Sequence, residues 1–153
     1  YYRRIRQYAP NIDQVPMAST PRHYMANRGK GYNICLGLIS DQSPALSAYT
    51  EWIEFLGRPT AFVDGGARIA QKFHLPAYFG RIRRIKPGQY GVTLELIYDG
   101  QEQVETMEIV RRYAERLEQM IRETPELWLW SHRRWKHTPE KQARRFGKST
   151  IEL

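Results

Sequence analysis

The densest group of chemically active side chains lies in residues 128–136, WLWSHRRWK. Its tryptophans stand among cations, which suits a lipid headgroup surface because indoles sit at that level and cations meet phosphates. The same mixture suits stacking on the bases of single-stranded nucleic acid. A third interpretation is structural, with tryptophans completing a core while the arginines stay in water. These residues alone leave all three interpretations open.

A second candidate is the pair Asp41-Gln42, which directly follows the apolar run Asn33–Ser40 (NICLGLIS). This run does not alternate, a pattern typical of a strand buried on both faces of a parallel sheet. Ligands of open α/β sheets bind beyond the carboxyl ends of strands, where a carboxylate and an amide can hold a sugar hydroxyl. The alternative, favoured on the motif alone, is an Asx turn that ends the strand.

Two further groups could hold an anion. In the first, Phe55–Thr60 (FLGRPT) and then Gly65-Gly66 precede a predicted helix, whose first N–H groups could bind phosphate. Its spacing matches neither a P-loop nor a dinucleotide fingerprint, and the glycines could simply serve a turn. In the second, arginines at positions 81, 83 and 84 lie on a predicted strand, where they could line an anion pocket or keep a sheet edge charged.

The sequence shows no convincing catalytic base. Its histidines are His23, His74, His132 and His137, and the residue five positions after each is neither Asp nor Glu. There is no Gly-x-Ser-x-Gly elbow and no metal-like spacing of histidines with acids.

Composition limits the class of protein. The 153 residues are 41% hydrophobic and 26% charged, which is typical of a globular chain. The net charge of +8 belongs to the ends: residues 1–30 and 131–153 each carry +5, whereas residues 31–130 carry −2. Such ends suit nucleic acid, anionic lipid or an acidic carrier protein. The apolar runs are too short to span a bilayer.

The single cysteine, Cys35, lies in the apolar run, so we predict a buried thiol in a reducing compartment. One cysteine excludes a disulfide framework and a cysteine-based zinc site. The opening residues, YYRRIR, are typical of mid-helix, so we expect a piece of a longer protein.

The elements that must position these residues follow from periodicity and turn signals. After the apolar strand, residues 41–60 are predicted to be irregular, and the alternation in Gln89–Tyr98 indicates a strand paired with the one before it. We predict a mixed α/β fold with a partly parallel sheet flanked by helices, incomplete because an N-terminal part is missing. The predicted helices are Tyr1–Tyr8, Pro21–Asn27, Asp64–Phe73, Val104–Glu123 and a short one after Thr124, and the hairpin strands are Pro76–Arg84 and Gln89–Tyr98.

Several of these motifs together resemble the bacterial lipid A biosynthesis acyltransferases. The resemblance covers roughly Asn33 to Lys136, and its most specific part is the ending from Pro125 to Lys136 (PELWLWSHRRWK). It also includes Leu38–Pro44 (LISDQSP), Trp52, Phe55-Leu56-Gly57, Thr60, Gly66 and the stretch from Ile69 to Tyr90. Leu56 stands where the family more often has a second Phe.

The resemblance implies a glycerolipid-acyltransferase-like fold and transfer of a fatty acyl chain from acyl carrier protein, or a coenzyme A thioester, to a hydroxyl of a phosphorylated lipid A precursor. In this family a His followed five positions later by an acid does the chemistry, with the imidazole taking the hydroxyl proton. This chain lacks that motif, so it holds no catalytic residue by this account. The motif is expected upstream of Tyr1, and the chain alone is expected to be inactive.

The implied substrate-side residues are those that match the family's motifs. They are Asp41, Gln42, Phe55, Gly57, Thr60, Gly66 and Arg84. The terminal run is expected to contact membrane or anionic lipid through Trp128, Trp130, Arg133, Arg134, Trp135 and Lys136. No cofactor and no metal is expected.

The resemblance also implies a place in the cell and a domain plan. We expect a location on the cytoplasmic face of a Gram-negative inner membrane, peripheral or anchored by an N-terminal segment. Residues 1–136 are expected to be the C-terminal part of one acyltransferase domain, and 137–153 a basic, frayed tail. The alternatives are a nucleic-acid-binding module, with nucleic acid the less expected partner, and an acyltransferase that acts on another membrane lipid.

Overall fold

The computed structural model describes residues 11–47 and 50–147. The chain divides into two compact units, the first ending at Gly37 and the second beginning at Leu38. The predicted helix end at Tyr1–Tyr8 lies outside the described residues. The prediction that residues 1–136 belong to one acyltransferase domain stays a prediction.

The first unit contains one α-helix, α1 (Thr20–Asn27), which follows a 3-10 turn at Met17–Ser19. Pro21 lies in the first turn of α1, where its missing N–H costs no hydrogen bond. The helix ends at Arg28, whose extended backbone departs from helical geometry. The predicted helix over Pro21–Asn27 is confirmed.

The second unit begins its regular structure with a short hairpin that the sequence analysis missed. Strand β1 (Trp52–Phe55) pairs antiparallel with β2 (Arg58–Ala61). The two residues between them, Leu56 and Gly57, both have positive φ, at 53° and 74°. Two consecutive positive φ angles give the turn that joins antiparallel strands with the correct twist.

Helix α2 (Gly65–Phe73) follows, and then a long hairpin of β3 (Ala77–Lys86) and β4 (Gln89–Tyr98). These confirm the predicted helix and both predicted strands. The register places Phe79 opposite Glu95 and Ile82 opposite Val92. One face of the hairpin packs on the core through Phe79, while the other exposes a contiguous row of apolar side chains: Tyr78, Ile82, Tyr90, Val92, Leu94 and Leu96. Contiguous exposed apolar surface of this kind marks contact with another molecule or another part of the same protein.

Helix α3 (Thr106–Glu123) is the centre of the core and confirms the predicted helix in this region. Its apolar side chains recur every three or four residues, so they form one buried stripe. The stripe contacts β1, α2 and the β3–β4 hairpin. Its buried members are Met107, Ile109, Val110, Ala114, Leu117, Met120 and Ile121.

The predicted strand at Asn33–Ser40 is wrong. The structure has no regular secondary structure over this run, and Ile39 is 66% exposed. Cys35, predicted to be buried, is exposed as well. A doubly buried strand needs neighbours on both edges to satisfy its N–H and C=O groups, and the described residues offer none here.

The fold class is therefore correct only as a mixture of helices and strands. Within the described ranges, the strands form two separate antiparallel pairs, β1–β2 and β3–β4. The partly parallel sheet of a glycerolipid-acyltransferase-like fold is not among them and stays a prediction. Both pairs leave strand edges open to further hydrogen bonding.

The end of the chain is more ordered than predicted. A 3-10 turn at Pro125–Leu127 follows α3, and helix α4 spans Pro139–Phe146. The Thr138 hydroxyl caps α4 by accepting a hydrogen bond from the Lys141 N–H. The expected fraying from 137 onward does not hold over Pro139–Phe146, and residues 148–153 lie outside the described part. Among the described helices, none combines the length and the apolar character needed to cross a bilayer.

Candidate functional site

The Asp41–Gln42 turn is fixed by the residue that follows it. The Ser43 hydroxyl donates a short hydrogen bond to the main-chain carbonyl of Arg134, 91 positions later, and lies 3.4 Å from the carbonyl of Arg133. Asp41 is partly buried, whereas Gln42 is exposed. The two motifs that carried most of the family resemblance, the Asp-Gln turn and the terminal run, are therefore in direct contact.

Arg134 lies inside the protein, with only 2% of its surface exposed. Its guanidinium carbon lies 4.4 Å from the ring centroid of Phe62 and 6.0 Å from that of Phe55. Its Nε and Nη2 atoms are buried and have no hydrogen-bond partner among the described residues. Such a cation is costly to bury unless an opposite charge lies close by.

The carboxylate of Asp41 contributes an opposite charge that acts on Arg134 through space. Burial lowers the pKa of Arg134 to about 10, while the Asp41 carboxylate and the Tyr113 hydroxyl act in the other direction. Tyr113, on α3, has a raised pKa because it is buried and because Asp41 disfavours a second negative charge. Asp41, Arg134 and Tyr113 therefore form one electrostatic cluster beneath the turn.

Aromatic rings surround this cluster. The Tyr113 ring meets Phe62 and Phe79 edge to face, with centroids 6.3 Å and 5.6 Å apart. Phe55, fully buried, meets Phe62 in the same way at 5.2 Å. The guanidinium of Arg134 therefore lies against aromatic rings that pack on one another in the edge-to-face geometry that aromatic pairs favour.

The terminal run, residues 125–136, also contacts the β1–β2 hairpin through Trp135. The indole N–H of Trp135 donates a 2.8 Å hydrogen bond to the Thr60 hydroxyl, which in turn donates to the carbonyl of Arg58. The Arg58 guanidinium stacks 5.4 Å from the Trp135 ring centroid. Thr60 is 1% exposed, so its polar atom depends on these two partners.

Residues further along hold the rest of the loop between the Asp41–Gln42 turn and β1. The Gln142 side chain donates to the carbonyls of Ser47 and Thr50, at 3.0 and 3.1 Å, and accepts from the Trp52 indole at 2.6 Å. We call residues 133–142 the clasp, because they hold the loop at several points along its length.

Burial and charge act on His137 as well. Its pKa is lowered, first by burial and then by the nearby cations of Lys136, Lys141 and Arg145. The neutral imidazole is therefore favoured, although the Pro44 carbonyl acts on its pKa in the opposite direction.

The structure brings together some of the substrate-side residues predicted from the sequence and separates others. Asp41, Phe55 and Thr60 lie around the clasp, but Phe55 and Thr60 are buried and support the turn from below. Gly57 forms the β1–β2 turn, and Gly66 faces the segment before Asp41, where an added Cβ would lie 3.0 Å from Leu38. Arg84 lies near the far end of β3, exposed and opposite Tyr90.

The other basic positions on β3 have partners or face solvent. Arg81 pairs with Glu95 and lies 3.0 Å from Glu123, so it stabilises the packing of the hairpin on α3. Arg83 is exposed. Arg81 therefore stabilises the fold, and the predicted anion pocket does not apply to it.

The predicted lipid-contact residues need correction at two positions. Trp128 is 8% exposed and packs against Phe55 and Trp135, and Arg134 is buried, so neither side chain lies at a surface. Trp130 is 55% exposed, Arg133 and Lys136 are exposed, and Trp135 is partly buried. Trp128 therefore helps to complete the core, which is the third of the interpretations drawn from the sequence. Lipid contact stays a prediction for Trp130, Arg133, Trp135 and Lys136.

Sequence reasoning missed four contributors to the site, Ser43, Phe62, Tyr113 and Gln142. Tyr113 was assigned to the core from the helical spacing of α3, and that spacing gives no sign of Asp41 and Arg134 beside it. Ser43 was included in the family motif but had no role assigned. Gln142 lay in the stretch expected to fray.

One histidine has an acidic partner within its own unit. In the first unit, His23 Nε2 lies 3.0 Å from Asp13 Oδ2, and Asp13 is largely exposed. Within the described residues, no group of three or more His, Cys, Asp or Glu side chains could hold a metal ion.

The comparison with known protein families supports the resemblance that the Asp41–Gln42 turn and the terminal run carry. The model of the family described as bacterial lipid A biosynthesis acyltransferase matches residues 30–137, well over half of the chain. The matched span contains the turn, both hairpins, α3 and the run that includes Arg134. A search of curated proteins found no match. The chain belongs to the bacterial lipid A biosynthesis acyltransferase family.

Proposed function

We propose that the protein transfers a fatty acyl chain from an acyl carrier protein thioester to a hydroxyl of a lipid A precursor. Family membership supports lipid A acyltransferase activity in general. The contact between the Asp41–Gln42 turn and the terminal run, through Ser43 and Arg134, is the observation that carries the assignment of a site. This contact brings the two family motifs next to each other in the fold.

The reaction exchanges one bond for another. The acceptor oxygen attacks the thioester carbonyl, an ester C–O bond forms, the C–S bond breaks, and the hydroxyl proton ends on the departing thiol. The turn is suited to holding the acceptor, because a carboxylate accepts hydrogen bonds from sugar hydroxyls and an exposed amide both donates and accepts. Asp41 and Gln42 are our proposed acceptor contacts.

The remaining substrate-side residues take supporting or more distant roles in this proposal. Phe55 and Thr60 support the turn through the clasp, and Gly57 and Gly66 permit the backbone paths beside it. Arg84 is exposed, and its planar guanidinium suits a phosphate of the acceptor. We propose phosphate contact for Arg84.

The base that takes the hydroxyl proton is proposed to come from a His-x4-Asp/Glu motif encoded before Tyr1, since none of the four histidines here has an acid at that spacing. The gene sequence upstream of Tyr1 tests this directly. A reading frame that runs upstream without such a motif would contradict this part of the proposal.

We further propose that the protein works on the cytoplasmic face of a bacterial inner membrane. Exposed Leu129, Trp130, Arg133 and Lys136 form a mixed apolar and cationic surface, which suits anionic headgroups. The acidic carrier protein suits the same charge. The nucleic-acid alternative is less well supported, because Trp128 and Arg134 are buried and cannot stack on bases or contact phosphates.

The test is an acyl-transfer assay of the protein as its gene encodes it. Acyl carrier thioester is incubated with a lipid A precursor, and the product is analysed by mass spectrometry. We expect a mass increase of one acyl group on the precursor. A parallel reaction with a lysoglycerophospholipid tests the alternative acceptor, and one with acyl coenzyme A tests the donor. Acylation of the glycerophospholipid alone, or of neither lipid, would overturn the proposal.

A further inference from the structure

We infer that Ser43 and Arg134 are positioning residues for acyl transfer, and that the clasp sets the place of the Asp41–Gln42 turn. The inference rests on the proposed function, in which this turn holds the acceptor. It adds a role for the terminal run beyond lipid contact. It also gives a role to Arg134, a cation of the family motif that lies inside the protein.

The loop that carries the turn has little structure of its own. In its described part, residues 41–47 and 50–51, it has neither helix nor strand, and its internal hydrogen bonds are those between Ser47 and Thr50. Contacts with the clasp hold the rest of the loop: the Ser43 hydroxyl donates to the Arg134 carbonyl, and the Gln142 side chain donates to the carbonyls of Ser47 and Thr50. The position of the turn is therefore set from outside the loop.

Arg134 adds an electrostatic restraint to this mechanical one. Its guanidinium is buried between Phe55 and Phe62, and two of its N–H-bearing nitrogens lack partners in the described part of the chain. The Asp41 carboxylate acts to raise the pKa of Arg134, so the two opposite charges attract one another through space. A turn held by Ser43 on one side and by this attraction on the other has little freedom to shift.

Such a restraint matters because transfer requires the acceptor hydroxyl at a defined place. A displacement of about 1 Å at a positioning group can lower a reaction rate by roughly 100-fold. Loss of the Ser43 hydroxyl releases the turn without altering Asp41 or Gln42. The effect is therefore expected on the use of the acceptor, with the donor site left unchanged.

The experiment compares three variants of the protein as its gene encodes it. Ser43→Ala removes the hydroxyl bonded to Arg134, and Ser43→Thr retains a hydroxyl. Ser47→Ala is the matched control, because the Ser47 hydroxyl bonds to Thr50 of its own loop and to no clasp residue among those that the structure describes. For Ser43→Ala we expect the KM for the lipid acceptor to rise about tenfold or more, with the KM for the acyl donor unchanged. Ser43→Thr should recover most of the loss, and Ser47→Ala should match the wild type.

The alternative is a purely structural role for Ser43. It would lower kcat in proportion to the unfolded fraction and leave both KM values unchanged, and that outcome would overturn the inference. So would wild-type kinetics for Ser43→Ala. Hydrogen exchange of the loop amides provides a readout independent of activity: Ser43→Ala should speed exchange at residues 41–47, and Ser47→Ala should not. If the wild type transfers no acyl group but the exchange result is as expected, the proposed function fails while the clasp stands.

Discussion

The indole N–H of Trp135 donates a 2.8 Å hydrogen bond to the hydroxyl of Thr60, which lies 75 positions earlier and is almost completely buried. The same Thr60 hydroxyl donates a hydrogen bond to the Arg58 carbonyl, also at 2.8 Å. One hydroxyl thus joins the clasp to the β1–β2 hairpin. This arrangement is sensitive to the loss of a single oxygen atom.

Thr60→Val should therefore destabilise the protein. Valine matches threonine in shape but removes the acceptor of the Trp135 N–H and a donor to the Arg58 carbonyl, which costs about 1–3 kcal/mol in the free energy of unfolding. Thr60→Ser should keep the hydrogen bonds and most of the stability. Urea denaturation measures both changes, with Thr93→Val on exposed β4 as the control. Equal stability of Thr60→Val and the wild type would show that the hydrogen bond contributes nothing.

Asp41 and Arg134 should depend on each other for stability. Asp41→Asn removes a negative charge that favours the charged form of the buried Arg134 guanidinium, so it should lower the free energy of unfolding. In an Arg134→Met background the same change should cost less, because no buried cation remains to be compensated. A double-mutant cycle by chemical denaturation should give a coupling of about 1 kcal/mol or more. Additive effects of the two substitutions would mean that the charges do not interact.

Glu118 on α3 should make stability depend on pH. Its carboxylate accepts a 2.8 Å hydrogen bond from the Leu56 N–H in the β1–β2 turn, and this bond, followed by Arg122, lowers its pKa below the ordinary value of 4.5. A lowered folded pKa gives stability that is present above the ordinary value and is lost as pH falls through the folded one. The wild type should thus exceed Glu118→Gln in stability at pH 7, and the difference should shrink below pH of about 4.

Denaturation midpoints measured between these pH values check the Glu118 prediction. Glu126→Gln, on an exposed carboxylate, serves as the control and should show no such trend. The difference between wild type and variant is the quantity to follow, because Glu95, Asp99 and Glu140 also have lowered pKa values and titrate in both proteins. A difference that stays constant from pH 7 to pH 3 would contradict the assignment.

His23 should be dispensable for catalysis despite its contact with Asp13. The pair resembles a base with its orienting acid, at 3.0 Å, but the order and spacing differ from the family's motif, and Asp13 is 71% exposed. His23→Ala and Asp13→Asn should each keep acyl transfer within about twofold of wild type, since a surface ion pair adds little. A loss of a hundredfold or more in kcat would place the base here and remove the need for one before Tyr1.

The sequence predicted the elements whose signals are local. The helical spacing from Val104 and the strict alternation over Gln89–Tyr98 identified α3 and the long hairpin, because burial of one stripe or one face produces those periods. The short hairpin was missed because Pro59 argues against a strand and because Leu56 is an unusual residue at positive φ. Asn33–Ser40 was misassigned as a strand because an apolar run shows only that burial is favourable. Whether such a run forms a strand depends on neighbouring strands that pair with it, and the run itself carries no information about them.

The site was predictable in its parts but not in its arrangement. The resemblance identified the Asp41–Gln42 turn and the terminal run, yet nothing in either motif shows that they touch. Arginine is ordinarily placed at the surface, so the burial of Arg134 could not be predicted without knowing that Phe62 and Asp41 lie beside it. Contacts across 91 positions depend on the fold as a whole.

The most direct test of the central claim is the initial rate of acyl transfer as a function of lipid acceptor concentration, measured for the wild type and for Asp41→Asn. If the turn held by the clasp binds the acceptor, Asp41→Asn should raise the KM for the acceptor about tenfold or more, because it removes a charged hydrogen-bond acceptor, and leave the KM for the acyl donor unchanged. Wild-type KM values for both substrates, in a variant shown to be folded, would contradict the account.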